Sequence, residues 1–335
     1  MIPKASLQFA AALGVCAFLL LVPAGAHTQE KKTVRVAFVS LSWHQELPFR
    51  IARIKGYFKE QGITLEPILI RGGPAAIAAL ISGDVDFGSI GGAQAPIRSR
   101  ARGLDIFIIG SLSNRANYTV IGARDVKKLE DLKGKIIGVT GAGAFSDFAV
   151  RLFLKQNGLD PDKDVILRPL GGTVLRASAL ERGIIAAAPF SAEEAVSLLS
   201  KGYPMISNLS ESLAIPQSIL VARGETLEKY PDTTKRFLKA VILGLRFVRS
   251  NKKDALQAGY ESGLKGDPDI VSRAYDLYSA AYTTDLSVAA EGIQIMLDED
   301  IRTGLVDKKM TLDKVINERI LKKAQEELKS EGRWK

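Results

Sequence analysis

The residues best suited to chemistry in this sequence are small and polar, and they fall in five short groups. These are Ser40-Leu41-Ser42-Trp43, Arg71-Gly72-Gly73, Gly91-Gly92-Ala93-Gln94, Thr140-Gly141-Ala142-Gly143 and Ala188-Pro189-Phe190-Ser191. Glycine lacks a Cβ, so backbone N–H groups in such loops can approach a bound molecule closely. A helix that starts just after the loop turns its N-terminus toward an anion. The chemistry this suits is capture of a small molecule. Arg71 carries the planar fork that pairs with a carboxylate or sulfonate, and otherwise reads as a solvated or bridging arginine. Trp43 and Phe190 offer aromatic walls for an apolar part, the alternative being packing at a hinge. Ser42, Gln94, Thr140 and Ser146 supply hydrogen bonds, and Gly72, Gly73, Gly92, Ala93, Gly141, Ala142, Gly143 and Ser191 complete the candidate ligand-binding set. One such group only turns the chain; five at corresponding places argue for a site.

Searches for bond-making machinery return little. Gly141-Ala142-Gly143-Ala144-Phe145-Ser146 lacks the last glycine of a dinucleotide fingerprint, and Gly88-Ser89-Ile90-Gly91 lacks the spacing of a nucleophile elbow. Asp84 and Asp86 point to opposite faces of a strand, so they do not form an acid–base pair; one is expected to cap and the other to be exposed. The single cysteine, Cys16, and two histidines, His27 and His44, exclude a disulfide scaffold and any cysteine-based or polyhistidine metal centre. His44 reads as a surface or supporting residue. No catalytic residue, metal or cofactor is expected.

The elements that must hold these loops alternate. Val34–Val39 reads as a strand, Phe49–Gln61 as a helix stopped by Gly62, Ile63–Ile70 as a strand, Ala75–Ile81 as a short helix and Val85–Ile90 as a strand. The order then recurs: strand Lys135–Thr140, helix Phe148–Asn157, strand Val165–Leu170, helix Leu175–Glu181 and strand Ile184–Ala188. Gly62 and Gly158 lie 96 apart, the Gly-Gly pairs at 72 and 171 lie 99 apart, and Leu80 and Leu180 lie 100 apart. A shared order at nearly constant offset predicts two similar α/β lobes, each a mainly parallel sheet flanked by helices. Tyr118–Ala123 and Ser218–Ala222 are further strands that cross between lobes. The lobes are therefore expected over 33–118 with 219–335, and over 119–218. After residue 224 the pattern turns helical, over 231–248, 269–282, 287–303 and 312–329, with Ser287 to Glu291 offering a helix cap.

The 335 residues carry 46 Lys and Arg against 37 Asp and Glu, a charge of +9, with 46% hydrophobic and 25% charged residues, which is ordinary for a globular chain and excludes a polytopic membrane protein. Lys4, the apolar run Leu7–Val22 and Ala24-Gly25-Ala26 read as a signal peptide over 1–26, cleaved near Ala26, with an uncleaved anchor or lipidation at Cys16 as alternatives. Removal takes only Lys4 from the charged set, leaving +8. The basic residues are scattered, which favours weak attraction of anions over nucleic acid.

Together these residues resemble the periplasmic solute-binding proteins of the nitrate/sulfonate/taurine class, related to SsuA- and THI5-like domains. Leu129-Glu130-Asp131-Leu132-Lys133-Gly134-Lys135 followed by Ile136-Ile137-Gly138-Val139 is the most specific match, and Asn157-Gly158-Leu159-Asp160-Pro161, Glu291-Gly292-Ile293-Gln294 and Arg71 to Phe87 also fit. The resemblance implies the two-lobed periplasmic binding protein type II fold. It also implies a small, anionic organic solute in the interlobe cleft, and delivery by a monomer to the permease and ATPase subunits of an ABC transporter. One departure is Ala186, in Gly183-Ile184-Ile185-Ala186-Ala187-Ala188, where the family pattern places an aspartate. The THI5-like synthases are similar in this domain but use a cysteine-rich motif, which this chain lacks. An exported enzyme based on His44, or a periplasmic sensor subunit, are the other readings.

Overall fold

The computed structural model describes residues 30–40 and 42–334, so the expected leader and its cleavage point lie outside the described residues. Ten strands follow in chain order: β1 (Thr33–Phe38), β2 (Thr64–Leu69), β3 (Phe87–Gly91), β4 (Ile106–Ser113), β5 (Thr119–Gly122), β6 (Ile136–Val139), β7 (Ile166–Pro169), β8 (Ala187–Phe190), β9 (Met205–Asn208) and β10 (Ser218–Arg223). They make two five-stranded sheets, ordered β2-β1-β3-β10-β4 and β7-β6-β8-β5-β9. In the first, β1 pairs in parallel with β2 and β3, while β10 runs antiparallel to both β3 and β4. In the second, β6 pairs in parallel with β7 and β8, while β5 runs antiparallel to β8 and β9. The two sheets therefore share one topology, and in each the antiparallel member is one of the two crossing strands expected from sequence. This is the two-lobed, mainly parallel α/β arrangement.

Burial explains which strands are central. Residues 87–90 of β3 and 218–222 of β10 are wholly buried, whereas β2 at the sheet edge alternates between exposed and half-buried positions. On one face of the first sheet Phe87 stacks on Phe237 with ring centres 4.3 Å apart, and Phe38 meets Phe49 edge-on at 4.8 Å. On the other face one apolar cluster runs from Ile77, Leu80 and Ile97 through to Val120, Ile137 and Phe148 of the second lobe, so the lobes share part of their core.

The helix expected over 49–61 begins earlier and breaks sooner. It runs Trp43–Ile54, with a separate turn Tyr57–Glu60 after Gly56, whose φ is +78°. Pro48 lies inside it and has no N–H for the His44 carbonyl. The Tyr282 hydroxyl supplies that bond from outside at 2.5 Å, which lets the helix run through the proline. The helix Pro231–Ser250 lies so close that a Cβ on Gly244 would sit 2.2 Å from the Pro48 carbonyl oxygen. Strands β4 and β9 and the helix Lys252–Glu261 are additions to the sequence reading, and β8 lies further along the chain than expected, taking in Pro189 and Phe190. The expected cap near Ser287 is not used: that helix is Ala290–Arg302, with Ala289 at its N-cap. Asp84 is exposed and accepts from the Ser82 hydroxyl, while Asp86 is buried, paired with Lys31 at 2.5 Å and accepting the Arg35 backbone N–H at 2.8 Å.

Candidate functional site

The loops at the carboxyl ends of the central strands face each other between the lobes, where ligands bind in open α/β sheets. Three contacts fix this. The N–H of Trp43, at the start of its helix, donates to Glu193 Oε1 in the second lobe at 3.2 Å. Gly92, at φ +72°, lies so close to Phe145 that an added Cβ would sit 2.4 Å from the ring. Arg98 clamps Asp300 at 2.9 and 2.7 Å and reaches the Gly143 carbonyl at 3.4 Å.

From the first lobe, Ser42 takes the N-cap position, and its hydroxyl lies 2.9 Å from that of Ser40. The Trp43 indole turns away from the second lobe: its Nε1–H donates to the Lys265 carbonyl at 2.9 Å and its ring packs edge-on against Tyr260. Arg71 is exposed and makes no hydrogen bond or ion pair among the described residues; Gly72 is exposed at φ +93°. Gly73 opens the helix Gly73–Ser82, and a Cβ there would lie 3.1 Å from that of Ala95, so this loop abuts the start of the helix Gln94–Ala101. Ala93 is buried at that helix's N-cap. Gln94 is 4% exposed, yet neither its amide oxygen nor its nitrogen finds a partner. Ser89 Oγ, Asn117 Oδ1, Gln217 Oε1 and Ser218 Oγ are likewise buried without partners. Unpaired buried polar atoms cost about 1–3 kcal/mol each.

In the second lobe the Thr140–Ser146 loop closes on itself. Ser146 Oγ accepts the Thr140 N–H at 2.8 Å, and Asp147 accepts the Gly143 N–H at 2.8 Å; Gly141 is half-buried and Ala142 exposed. Phe190 lies wholly inside the second-lobe core with Ile121 and Leu198. Ser191 occupies the N-cap position of the helix Ala192–Ser200 without a side-chain capping bond, and its hydroxyl donates to Glu194 at 2.6 Å.

Two charged side chains here escaped the sequence reading. Arg176 is 1% exposed. Its Nη1 donates to Thr140 Oγ1 and the Gly171 carbonyl, both at 2.7 Å, while Nε and Nη2 donate to the Pro189 carbonyl at 3.2 and 2.9 Å. It thus ties two second-lobe loops to the end of β8 without a carboxylate in bonding reach among the described residues. Burial draws its pKa down, opposed by Tyr118 and Glu194 nearby. A signal existed: at the offset of 100 that relates Leu80 to Leu180, Arg176 stands where the first lobe has buried Ala76.

The second is Glu193. Its Oε2 is buried with no partner, and burial, with Glu194 beside it, pushes its pKa up to about 7. Around it lie Tyr278 and Tyr282, both buried, whose own pKa values are raised by burial and by this carboxylate. His44 completes the group. Its ring lies 6.1 Å from that of Tyr278, its Nδ1 has no partner, and burial lowers its pKa to about 4, so it is neutral at pH 7. A small crevice lined by Asn117, Thr119, Ala192, Asn208, Ser210, Leu277 and Tyr278 adjoins this group, whereas a larger, open depression between Leu312 and Glu326 lies away from it. Among the described residues no group of acidic, histidine or cysteine side chains is placed to hold a metal.

With this geometry in hand, known proteins supply the frame. The model of the NMT1/THI5-like family matches residues 43–255. The chain is similar to the taurine-binding periplasmic protein of Escherichia coli (strain K12), 27% identical over 201 residues, which cover 58% of this chain and 61% of that one. It is also similar to the 4-amino-5-hydroxymethyl-2-methylpyrimidine phosphate synthase of Candida albicans (strain WO-1), 27% identical over 248 residues, 67% of this chain and 70% of that one. Among solved structures, the periplasmic aliphatic sulphonate binding protein SsuA from Escherichia coli superposes with a TM-score of 0.72 at 18% identity, covering 87% of this chain and 99% of SsuA.

Proposed function

The chain belongs to the NMT1/THI5-like family, and from that premise we propose that it is a solute-binding protein rather than a catalyst. It captures a small anionic organic solute, a sulfonate, carboxylate or related compound, in the cleft between a lobe of 33–118 with 219–335 and a lobe of 119–218. It works in the periplasm as a monomer and delivers the solute to the permease and ATPase subunits of an ABC importer. The observation that carries the anionic preference is Arg176: a buried guanidinium, pinned by carbonyl oxygens and with no acid bonded to it among the described residues, places positive charge behind the Thr140 and Gly171 loops. Arg71, Ser42, Gln94 and the glycine loops are the rim and backbone donors of the same cleft. Closing the lobes on the solute shifts an open–closed equilibrium, and the closed form is the one the permease reads. The similarity to a synthase keeps an enzymatic reading in view, but the one histidine among the described residues, His44, is a weak base here, with a pKa of about 4.

The test is a thermal-shift and calorimetric panel of sulfonates, carboxylates, aromatic acids and nitrate. At least one anion raises the melting temperature, and scattering shows compaction on binding. Absence of any stabilising anion together with turnover of a panel compound would sink the reading.

A further inference from the structure

The repeat that relates the two lobes changes character at one row of residues. In the first sheet Arg35 stands opposite Glu66, and the Asp86 N–H donates to the Arg35 carbonyl at 2.8 Å. In the second sheet Ile136 stands opposite Ile166, and the Ala186 N–H donates to the Ile136 carbonyl, again at 2.8 Å. The same three backbone places carry charged residues in one lobe and apolar residues in the other. The turn before the third strand follows suit: exposed Asp84 comes after Gly83 at φ +81°, and Ile184 comes after Gly183 at φ +69°. Ile166 is 53% exposed and Ile184 48%, while Ile136 is half-buried. Flanking them in the chain are Lys135, Arg168 and Arg182, all exposed, whose side chains make no hydrogen bond or ion pair among the described residues. The acids beside them in sequence, Asp164 and Glu181, are engaged by Lys133 at 3.8 Å and by Lys201 at 2.7 Å.

An exposed apolar surface flanked by unpaired cations suits a partner that is both apolar and anionic. A second copy of this chain would set cation against cation. An added peptide strand finds little to hold on the open edge of β7. Ile166 and Leu170 turn their N–H groups inward, to the Lys135 and Val139 carbonyls at 2.9 and 2.8 Å. Leu167 and Pro169 are therefore the residues whose nitrogens face out, and proline has no N–H to give. A lipid surface has both properties, anionic groups in a plane above hydrocarbon, and asks for no strand pairing. We propose that this end of the second lobe docks on anionic phospholipid, with Ile166 and Ile184 entering the headgroup layer and Lys135, Arg168 and Arg182 against the phosphates. Ile136 and Ile166 are the first residues of β6 and β7, so the surface lies at the opposite end of the sheet from the carboxyl-end loops. A docked chain keeps its cleft clear of the lipid.

The test is flotation of residues 27–335, which hold both sheets and leave out the apolar run Leu7–Val22. One set of vesicles mixes phosphatidylglycerol with phosphatidylcholine, and the other is phosphatidylcholine alone. The expected result is binding to the first set, weakened by salt, and little binding to the second. Ile166→Glu with Ile184→Asp puts the first lobe's own residues into the second and lowers the partition coefficient about tenfold. Arg168→Ser with Arg182→Ser lowers it about as much. Melting curves check that both variants fold. The proposal is overturned if the wild type ignores anionic vesicles, if it binds both sets equally, if salt leaves binding unchanged, or if either folded variant binds like the wild type. A dimer in sedimentation that the isoleucine exchange dissolves would assign the surface to a second copy and overturn it as well. The solute panel is independent of all these outcomes.

Discussion

At the scale of single residues, the cleft sets a carboxylate and an imidazole against each other. Glu193 titrates near 7 in the folded chain against an ordinary 4.5, so the folded state holds its proton longer than the unfolded one. Its effect is to lose stability as pH rises from about 4.5 to about 7. His44 titrates near 4 against an ordinary 6.5, so stability is lost as pH falls from about 6.5 to about 4. The two slopes oppose each other, which flattens the pH profile of the wild type in the shared window. Each pKa unit is worth about 1.4 kcal/mol, enough for single substitutions to expose the hidden slopes. In Glu193→Gln the melting temperature should climb with pH between about 4 and 6.5; in His44→Gln it should fall between about 4.5 and 7. Melting curves in a pH series decide this, and a Glu193→Gln profile that tracks the wild type would refute it.

At the scale of elements, the helix Trp43–Ile54 determines where the first cleft loop ends, and it runs through Pro48 because Tyr282 bonds the carbonyl that the proline leaves free. Tyr282→Phe should cost about 1–2 kcal/mol in urea unfolding, the cost of a buried carbonyl left unsatisfied. Pro48→Ala in the Tyr282→Phe background restores an N–H within the helix, so the double variant should recover much of the loss; strict additivity of the two changes would speak against this account. The same helix marks what sequence could convey. Alternation of strands and helices, the repeat offset and four of the five carboxyl-end loops are written in local pattern, and the structure has them; Ala188–Phe190 instead belongs to β8. The helix start at Trp43 is hidden by a proline that reads as a boundary, and the end of β8 by Pro189. Trp43 and Phe190 are aromatic residues in polar loops, yet the indole faces the C-terminal helices and the Phe190 ring lies in the core, because side-chain direction depends on packing partners more than 200 residues away for Trp43. Arg176 and Glu193 sit on helices whose periodicity says only that they are amphipathic. Their depth between loops is a tertiary property.

For the molecule as a whole, the lobe closure proposed above depends on how near the two loop faces can come. Gly92 and Phe145 touch across the cleft, and a methyl at position 92 has no room and an unfavourable positive φ. Gly92→Ala should hold the lobes apart and weaken whichever panel ligand binds about tenfold, equivalent to ~1.4 kcal/mol. Phe145→Ala in the same chain should return part of that affinity, and scattering should show the single variant less compact with ligand. Equal affinity in Gly92→Ala and wild type would mean that this contact has no part in closure.

The shared topology also dictates an order of assembly. Every strand of the second sheet lies within residues 119–208, whereas β10, the strand that fills the gap between β3 and β4, is made only once the ribosome has passed residue 223. Until then the earlier part of the chain is a three-stranded fragment and a separate β4, with the edges of β3 and β4 unpaired and open to any passing strand. The later-made lobe can finish folding first, and the earlier-made one waits for its last strand to be threaded back through its centre.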